Sequence, residues 1–119
     1  MDFHPSEEQQ MIRDSLSGWL ADQHGDAAWT RLTSAWPPGS DASWSGLAEL
    51  GLLGLMIPER FGGSGMSALD LHVVAEVMGH HLIVDPFLST AVLGARLIAD
   101  LGTPPQQQAL LPVIAGGDL

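Results

Sequence analysis

Three polar side chains on one predicted helix, His72, Glu76 and His80, recur at i, i+4 and i+8. That spacing sets them on one face, where two imidazoles and a carboxylate could hold a metal ion. His81 adds a further nitrogen nearby. A closed zinc site needs about four ligands, and no second cluster in the sequence supplies the rest. A carboxylate-bridged di-iron bundle would need Glu-x-x-His pairs on two helices, and none occurs. A polar or partner-facing stripe explains the three residues better, so no metal is expected.

The glycine loop Phe61-Gly62-Gly63-Ser64-Gly65 is the second candidate. Such loops cradle phosphate when they join a strand to a helix. Here the spacing matches neither GxGxxG nor the P-loop pattern, and Met66 two residues after Ser64 breaks GxSxG. A backbone turn that needs positive φ angles accounts for the glycines. The acidic residues, among them Glu7, Glu8, Asp14, Glu49, Glu59, Glu76 and Asp85, are dispersed and read mostly as solvated faces. Glu59 and Asp85 stand apart because each flanks a proline at an apolar junction. The four tryptophans suit core or interdomain contacts. No catalytic residue emerges from spacing.

The composition limits the chemistry further. With 119 residues, 45% hydrophobic and 15% charged, the chain is one globular domain able to bury a core. Its net charge is −10, it has no lysine, and Arg13, Arg31, Arg60 and Arg96 are scattered. That balance argues against nucleic acid and anionic membrane surfaces, which need clustered cations. The missing lysine also removes Schiff-base chemistry. No apolar run is long enough to span a bilayer, and MDFHPSEEQQ lacks the basic and apolar regions of a secretory signal. Without cysteine there is neither disulfide framework nor thiol chemistry. A cytoplasmic location is the default expectation.

The elements that would position these residues are helical. Ser6 and Gln9 form a capping box for a first helix to about Gln23, with Met11, Ile12, Leu16, Trp19 and Leu20 on its apolar face. Asp26 caps a short second helix carrying Trp29 and Leu32, and Pro37-Pro38-Gly39 breaks it. A third helix from Ser40 or Asp41 brings Trp44, Leu47 and Leu50 toward one face and ends at Gly51. Leu52 to Ile57 is apolar on all sides and reads as extended and buried, with Pro58 opposing helix. Ser67 caps a fourth helix with Leu69, Val73, Val74, Val77 and Met78 inward, ending at Gly79. Pro86 opens a fifth helix to about Leu101. Thr103, Pro104 and Gln106 open a sixth, which Pro112 bends or ends. The expected fold is all-α, an orthogonal or up-down bundle of about six helices.

The order of motifs carries a family likeness. Glu8-Gln9, the helix end Leu47-Ala48-Glu49-Leu50-Gly51, Ile57-Pro58-Glu59 and Gly62-Gly63-Ser64-Gly65 resemble the N-terminal helical domain of acyl-CoA dehydrogenases. So do the Glu76 to Gly79 helix end, Leu101-Gly102-Thr103, Gln107 and Leu111-Pro112. Each motif is weak alone; their order across nearly the whole chain is specific. Residues 86–98, PFLSTAVLGARLI, look most like the divergent bacterial branch, in which some members take bulky acyl groups and some pair unlike subunits. Val77 departs from the second glutamate of many relatives.

The resemblance implies a subunit in which a β-domain and a C-terminal helical domain follow residues 1–119. FAD would lie mainly between those two domains and a neighbouring subunit. The implied reaction removes the α-proton of an acyl thioester and passes the β-hydride to flavin, giving a trans-2-enoyl-CoA. Its base is usually a glutamate of the C-terminal domain, so no residue here takes that role. By resemblance this domain supplies one wall of the acyl pocket, at Asp85, Phe87, Leu88, Ser89, Val92 and Leu93. Small residues at Ser89, Thr90, Ala91 and Gly94 leave room for a wide slot.

The chain's end at Ala115-Gly116-Gly117-Asp118 reads as a domain boundary, so alone it is expected to bind no flavin and turn over no acyl-CoA. Its expected partners are the missing domains or a companion subunit, with acyl-CoA bound in the full enzyme. Exposed apolar patches and self-association follow for the isolated chain. The other reading is a free-standing acidic helical module that binds a protein partner or a small apolar ligand and is not an enzyme.

Overall fold

A computed structural model describes residues 3–23, 25, 30, 31, 33, 34 and 41–119. The chain divides into two compact units: Met1–Gly39 with Ala68–Val84, and Ser40–Ser67 with Asp85–Leu119. Five α-helices are described, α1 (Glu7–Gln23), α2 (Asp41–Glu49), α3 (Ala68–His80), α4 (Ala95–Leu101) and α5 (Pro104–Gly116). Two 3-10 turns, Leu52–Gly54 and Glu59–Phe61, and a π-helical segment, Leu88–Gly94, complete the elements. No strand occurs among the described residues, in keeping with the all-α expectation. The expected second helix from Asp26, with Trp29 and Leu32, lies largely outside the described residues.

In the first unit α1 starts at its capping box. Ser6 Oγ accepts from the Gln9 amide at 3.1 Å, and Gln9 Oε1 accepts from the Ser6 amide at 3.0 Å. The Gln9 side chain also donates to Asp70 Oδ1 on α3 at 2.9 Å. Leu16 and Leu20 of α1 and Val73, Val74, Val77 and Met78 of α3 are buried. Met11 and Leu69, both expected inside, are each 71% exposed. Met11 precedes Leu16 by five residues, which turns it about 140° away from the buried stripe. Leu69 lies in the first turn of α3, where α1 offers Gln9 to Asp70 instead of an apolar slot.

The end of α3 also differs from expectation. The helix passes Gly79, and the left-handed position falls on Leu82, at φ 54°. The Leu82 amide donates to the Gly79 carbonyl at 3.2 Å and the Ile83 amide to the Met78 carbonyl at 3.1 Å. That bond pair is a Schellman cap, built on a leucine in place of the usual glycine.

In the second unit α2 stops at Gly51, which adopts φ 76° as its position required. Leu52, Leu53, Leu55 and Ile57 are buried, as expected, but the segment turns as a 3-10 helix and is not extended. Its carbonyls find no strand; the returning glycine loop takes them. The Ser64 amide donates to Gly54 at 2.9 Å, Gly65 to Ile57 at 2.9 Å and Met66 to Leu55 at 2.8 Å. Ile57, Ala95, Leu111 and Ile114 form the core here, with Phe61, Ile98, Ala99 and Ala115 packed against it.

Thr103 caps α5 with Gln106 as its reciprocal partner, as the sequence predicts. Pro112 does not end α5, which runs on to Gly116. The proline lacks the amide that would reach the Gln108 carbonyl. Both residues are exposed, so water can take that bond. Gln107 Nε2 reaches back to the Ala99 carbonyl at 2.9 Å and the Ile98 carbonyl at 3.4 Å, satisfying the end of α4.

Candidate functional site

The segment from Asp85 to Leu93 is built differently from the plain helix its pattern predicts. Leu88–Gly94 is π-helical, and the Ala95 amide donates to the Thr90 carbonyl five residues back. Such wide turns are rare and are frequently found at functional sites. One inward column anchors the segment: Phe87, Ala91 and Ala95, four residues apart, are all buried. That strict four-residue spacing is longer than an α-helical turn and is the one sequence signal that favoured a wider helix.

The six predicted pocket residues divide around this column. Phe87 points into the unit's own core, 6% exposed, so it supports the segment from behind and does not face a ligand. Leu88 and Leu93 face outward, 63% and 62% exposed, with Ser89 exposed and Val92 half-buried. Gly94 leaves space for the Ser89 carbonyl, which would lie 3.1 Å from an added Cβ. The Ser89 hydroxyl itself is turned back to the Pro86 carbonyl at 3.2 Å. Leu88 and Leu93 make the outward face largely apolar, and the Ser89 hydroxyl there donates to the Pro86 carbonyl.

Asp85 does not face a ligand position alone. Its Oδ2 accepts a hydrogen bond from Ser43 Oγ on α2 at 2.7 Å. Its carbonyl accepts from the Phe87 amide at 2.8 Å, which begins the turn into the π-helical segment. Ser43 is 6% exposed and was not among the predicted site residues. It lies four residues before the buried Leu47, so a hydroxyl on the apolar face of α2 was the available clue. The Ser43–Asp85 bond ties the start of the segment to α2.

The other candidates resolve into structural roles. Amides 63–66 of the glycine loop are all spent on carbonyls of residues 54–58, so they offer no nest for phosphate. The Arg60 guanidinium lies over the Phe61 ring, 4.8 Å from its centroid. Glu59 is exposed. His72, Glu76 and His80 share an exposed face of α3, and no metal-binding group of three occurs among the described residues. Glu76 instead pairs with Arg13 of α1 at 2.8 Å. The hydrogen bond from Arg13, and next its charge, hold the Glu76 carboxyl below the usual carboxylate range. His80 and His81 meet edge to face, 5.3 Å between centroids. Trp19 and Trp44 are half-buried; Trp29 and Trp36 lie outside the described residues.

Known proteins match this arrangement. The family profile for the acyl-CoA dehydrogenase N-terminal domain matches residues 6–118. Acyl-CoA dehydrogenase IpdE2 of Mycobacterium tuberculosis is 35% identical over 114 residues, covering 94% of this chain and 35% of that protein. Among solved structures, a chain of the ChsE4-ChsE5 complex from Mycobacterium tuberculosis is 27% identical with a TM-score of 0.82, covering 100% of this chain and 30% of that one. The Tcur3481-Tcur3483 steroid ACAD is 29% identical with a TM-score of 0.85, covering 93% and 30%. The chain thus spans about a third of the length of the relatives it matches. With the capping boxes, the Pro-Glu step and the glycine loop all in place, the chain belongs to the acyl-CoA dehydrogenase family as its N-terminal domain.

Proposed function

We propose that this domain forms one wall of the acyl pocket in a flavin-dependent acyl-CoA dehydrogenase. The observation that carries the reading is the π-helical segment. Its inward side, Phe87 and Ala91, is locked in the core, while Leu88 and Leu93 stay exposed on the other side. An apolar surface held this rigidly suits an acyl chain, which asks for shape and dryness more than for hydrogen bonds. Ser89, Val92 and Leu93 are the residues that would touch the acyl group. Asp85 and Phe87 hold the segment in place. The likeness to a steroid ACAD supports a bulky acyl group over a straight chain.

The described residues do not fit the flavin by themselves. Its diphosphate needs free amides or cations, and the glycine-loop amides are consumed internally. The chain has no lysine, and Arg60, the cation nearest that loop in sequence, is stacked on Phe61. No step is therefore assigned to the flavin from this chain. Relatives about three times longer support a site completed by β- and C-terminal domains or by a companion subunit, as in the ChsE4-ChsE5 complex. No helix among the described residues is long and apolar enough to cross a membrane, and we place the domain in the cytoplasm. Visible absorption spectroscopy tests the division of labour. After incubation with FAD and desalting, the chain is expected to emerge colourless; a stoichiometric yellow complex contradicts it.

A further inference from the structure

Phe87 is buried and Leu88 is exposed, the reverse of what a regular helix would give. Ala91 and Ala95, both buried, fix the inward line. In an α-helix each residue turns about 100°, so Leu88, seven residues before Ala95, would return within about 20° of that line. Phe87, eight residues before it, would stand about 80° away. The π-helical turn at Leu88–Gly94 takes up one extra residue and so exchanges the two side chains. The register of this segment decides which of them faces outward.

The start of the segment is displaced by the same one residue. Asp85-Pro86 is a favoured helix opening, with aspartate as cap and proline first in the helix. Instead the Thr90 amide donates to the Pro86 carbonyl at 3.1 Å, so the helical bonds begin one residue late. The Asp85 carbonyl takes the Phe87 amide, and no side chain caps the start. The carboxylate that could cap it is held elsewhere, because Asp85 Oδ2 accepts from the buried Ser43 hydroxyl at 2.7 Å. The late start and the wide turn are two ends of one shift. With Ser43 engaged, Asp85 stays outside the helix and the surplus residue goes into the π turn. With Asp85 released to cap the Leu88 amide, the helix would begin one residue earlier and need no wide turn.

We infer that Ser43 is a positioning residue that sets the register of the acyl-pocket wall, resting on the acyl-pocket reading for its effect on substrates. Its hydroxyl keeps Leu88 on the outward face and Phe87 in the core. NMR of the 119-residue chain tests it through scalar couplings across hydrogen bonds. Wild type is expected to couple the Ala95 amide to the Thr90 carbonyl. Ser43→Ala is expected to couple it to the Ala91 carbonyl and to shield the Leu88 methyl groups from a soluble paramagnetic probe. Ser43→Thr, which keeps the hydroxyl, is expected to behave as wild type. Ser43→Cys fills the same space with a weak donor, is expected to switch, and serves if Ser43→Ala unfolds. A folded Ser43→Ala chain, or failing that Ser43→Cys, that keeps the Thr90 coupling overturns the inference, as does a switch in Ser43→Thr. In the proposed flavoenzyme, Ser43→Ala is expected to lower kcat/KM for bulky relative to short acyl-CoA roughly tenfold, as the Phe87 ring enters the slot. A register switch with acyl preference unchanged upholds the role of Ser43 and contradicts the pocket wall instead.

Discussion

Gly63→Ala is the sharpest probe of how the glycine loop holds the second unit. A Cβ at position 63 would fall inside the van der Waals envelope of the Ile57 carbonyl, 2.5 Å from its carbon and 2.6 Å from the Gly54 oxygen. Both obstacles are backbone, so no side-chain rotation relieves them. The loop must lift, and three bonds lift with it: Ser64 to Gly54, Gly65 to Ile57 and Met66 to Leu55, at 2.8–2.9 Å. At about 1 kcal/mol each, the loss is about 3 kcal/mol. That is a large part of a domain's total of about 5–15 kcal/mol. Gly62→Ala is the control. Gly62 has φ 87° and nothing within 4 Å of an added Cβ, so it carries only the left-handed penalty, about 1 kcal/mol. Urea unfolding followed by circular dichroism reads both variants, with m unchanged. If Gly63→Ala costs no more than Gly62→Ala, close backbone approach is not what this loop needs its glycine for.

Three further outcomes are expected. Leu82→Gly should stabilise the chain by about 0.5–1 kcal/mol in urea unfolding, because the left-handed cap at φ 54° no longer carries a Cβ; a destabilised variant refutes strain at that cap. Ser43→Ala should cost about 1–3 kcal/mol by leaving Asp85 without its hydroxyl donor. Amide exchange at residues 87–95 should rise more than at α5; a uniform rise contradicts a local tie. Glu76 ionises below the usual 4.5 in the folded chain because of Arg13, so its pairing supports stability above pH 4.5 and loses that support as pH falls through the lowered native value. Wild type and Glu76→Gln should differ at neutral pH and converge in acid, with salt shrinking the gap. A difference constant with pH counts against the pairing.

What could be read before the fold was known is what local chemistry decides. Ser6 with Gln9 and Thr103 with Gln106 announce two helix starts because their partners lie three residues away. Gly51 announces a stop through its own φ. The misses depend on partners distant in sequence. Residues 52–57 turn where residues 64–66 come back to take the Gly54, Leu55 and Ile57 carbonyls, which no local pattern shows. Leu82 accepts a conformation leucine avoids because the Schellman bonds over-determine it. The π-helical turn at Leu88–Gly94 left only a four-residue spacing as its trace, and Ser43 left only a hydroxyl on an apolar face. The family was legible from motif order, yet which predicted pocket residues face outward was not.

Acyl-CoA oxidation kinetics test the central claim most directly, using the proposed flavoenzyme, in which β- and C-terminal domains would join residues 6–118. Leu93→Trp and Ser89→Trp enlarge the exposed side of the π-helical segment and leave the buried column of Phe87, Ala91 and Ala95 untouched. An acyl-pocket wall there requires kcat/KM for bulky acyl-CoA substrates to fall steeply while short acyl-CoA substrates keep theirs. Equal losses across acyl sizes, or no loss at all, would place the acyl group somewhere other than this segment.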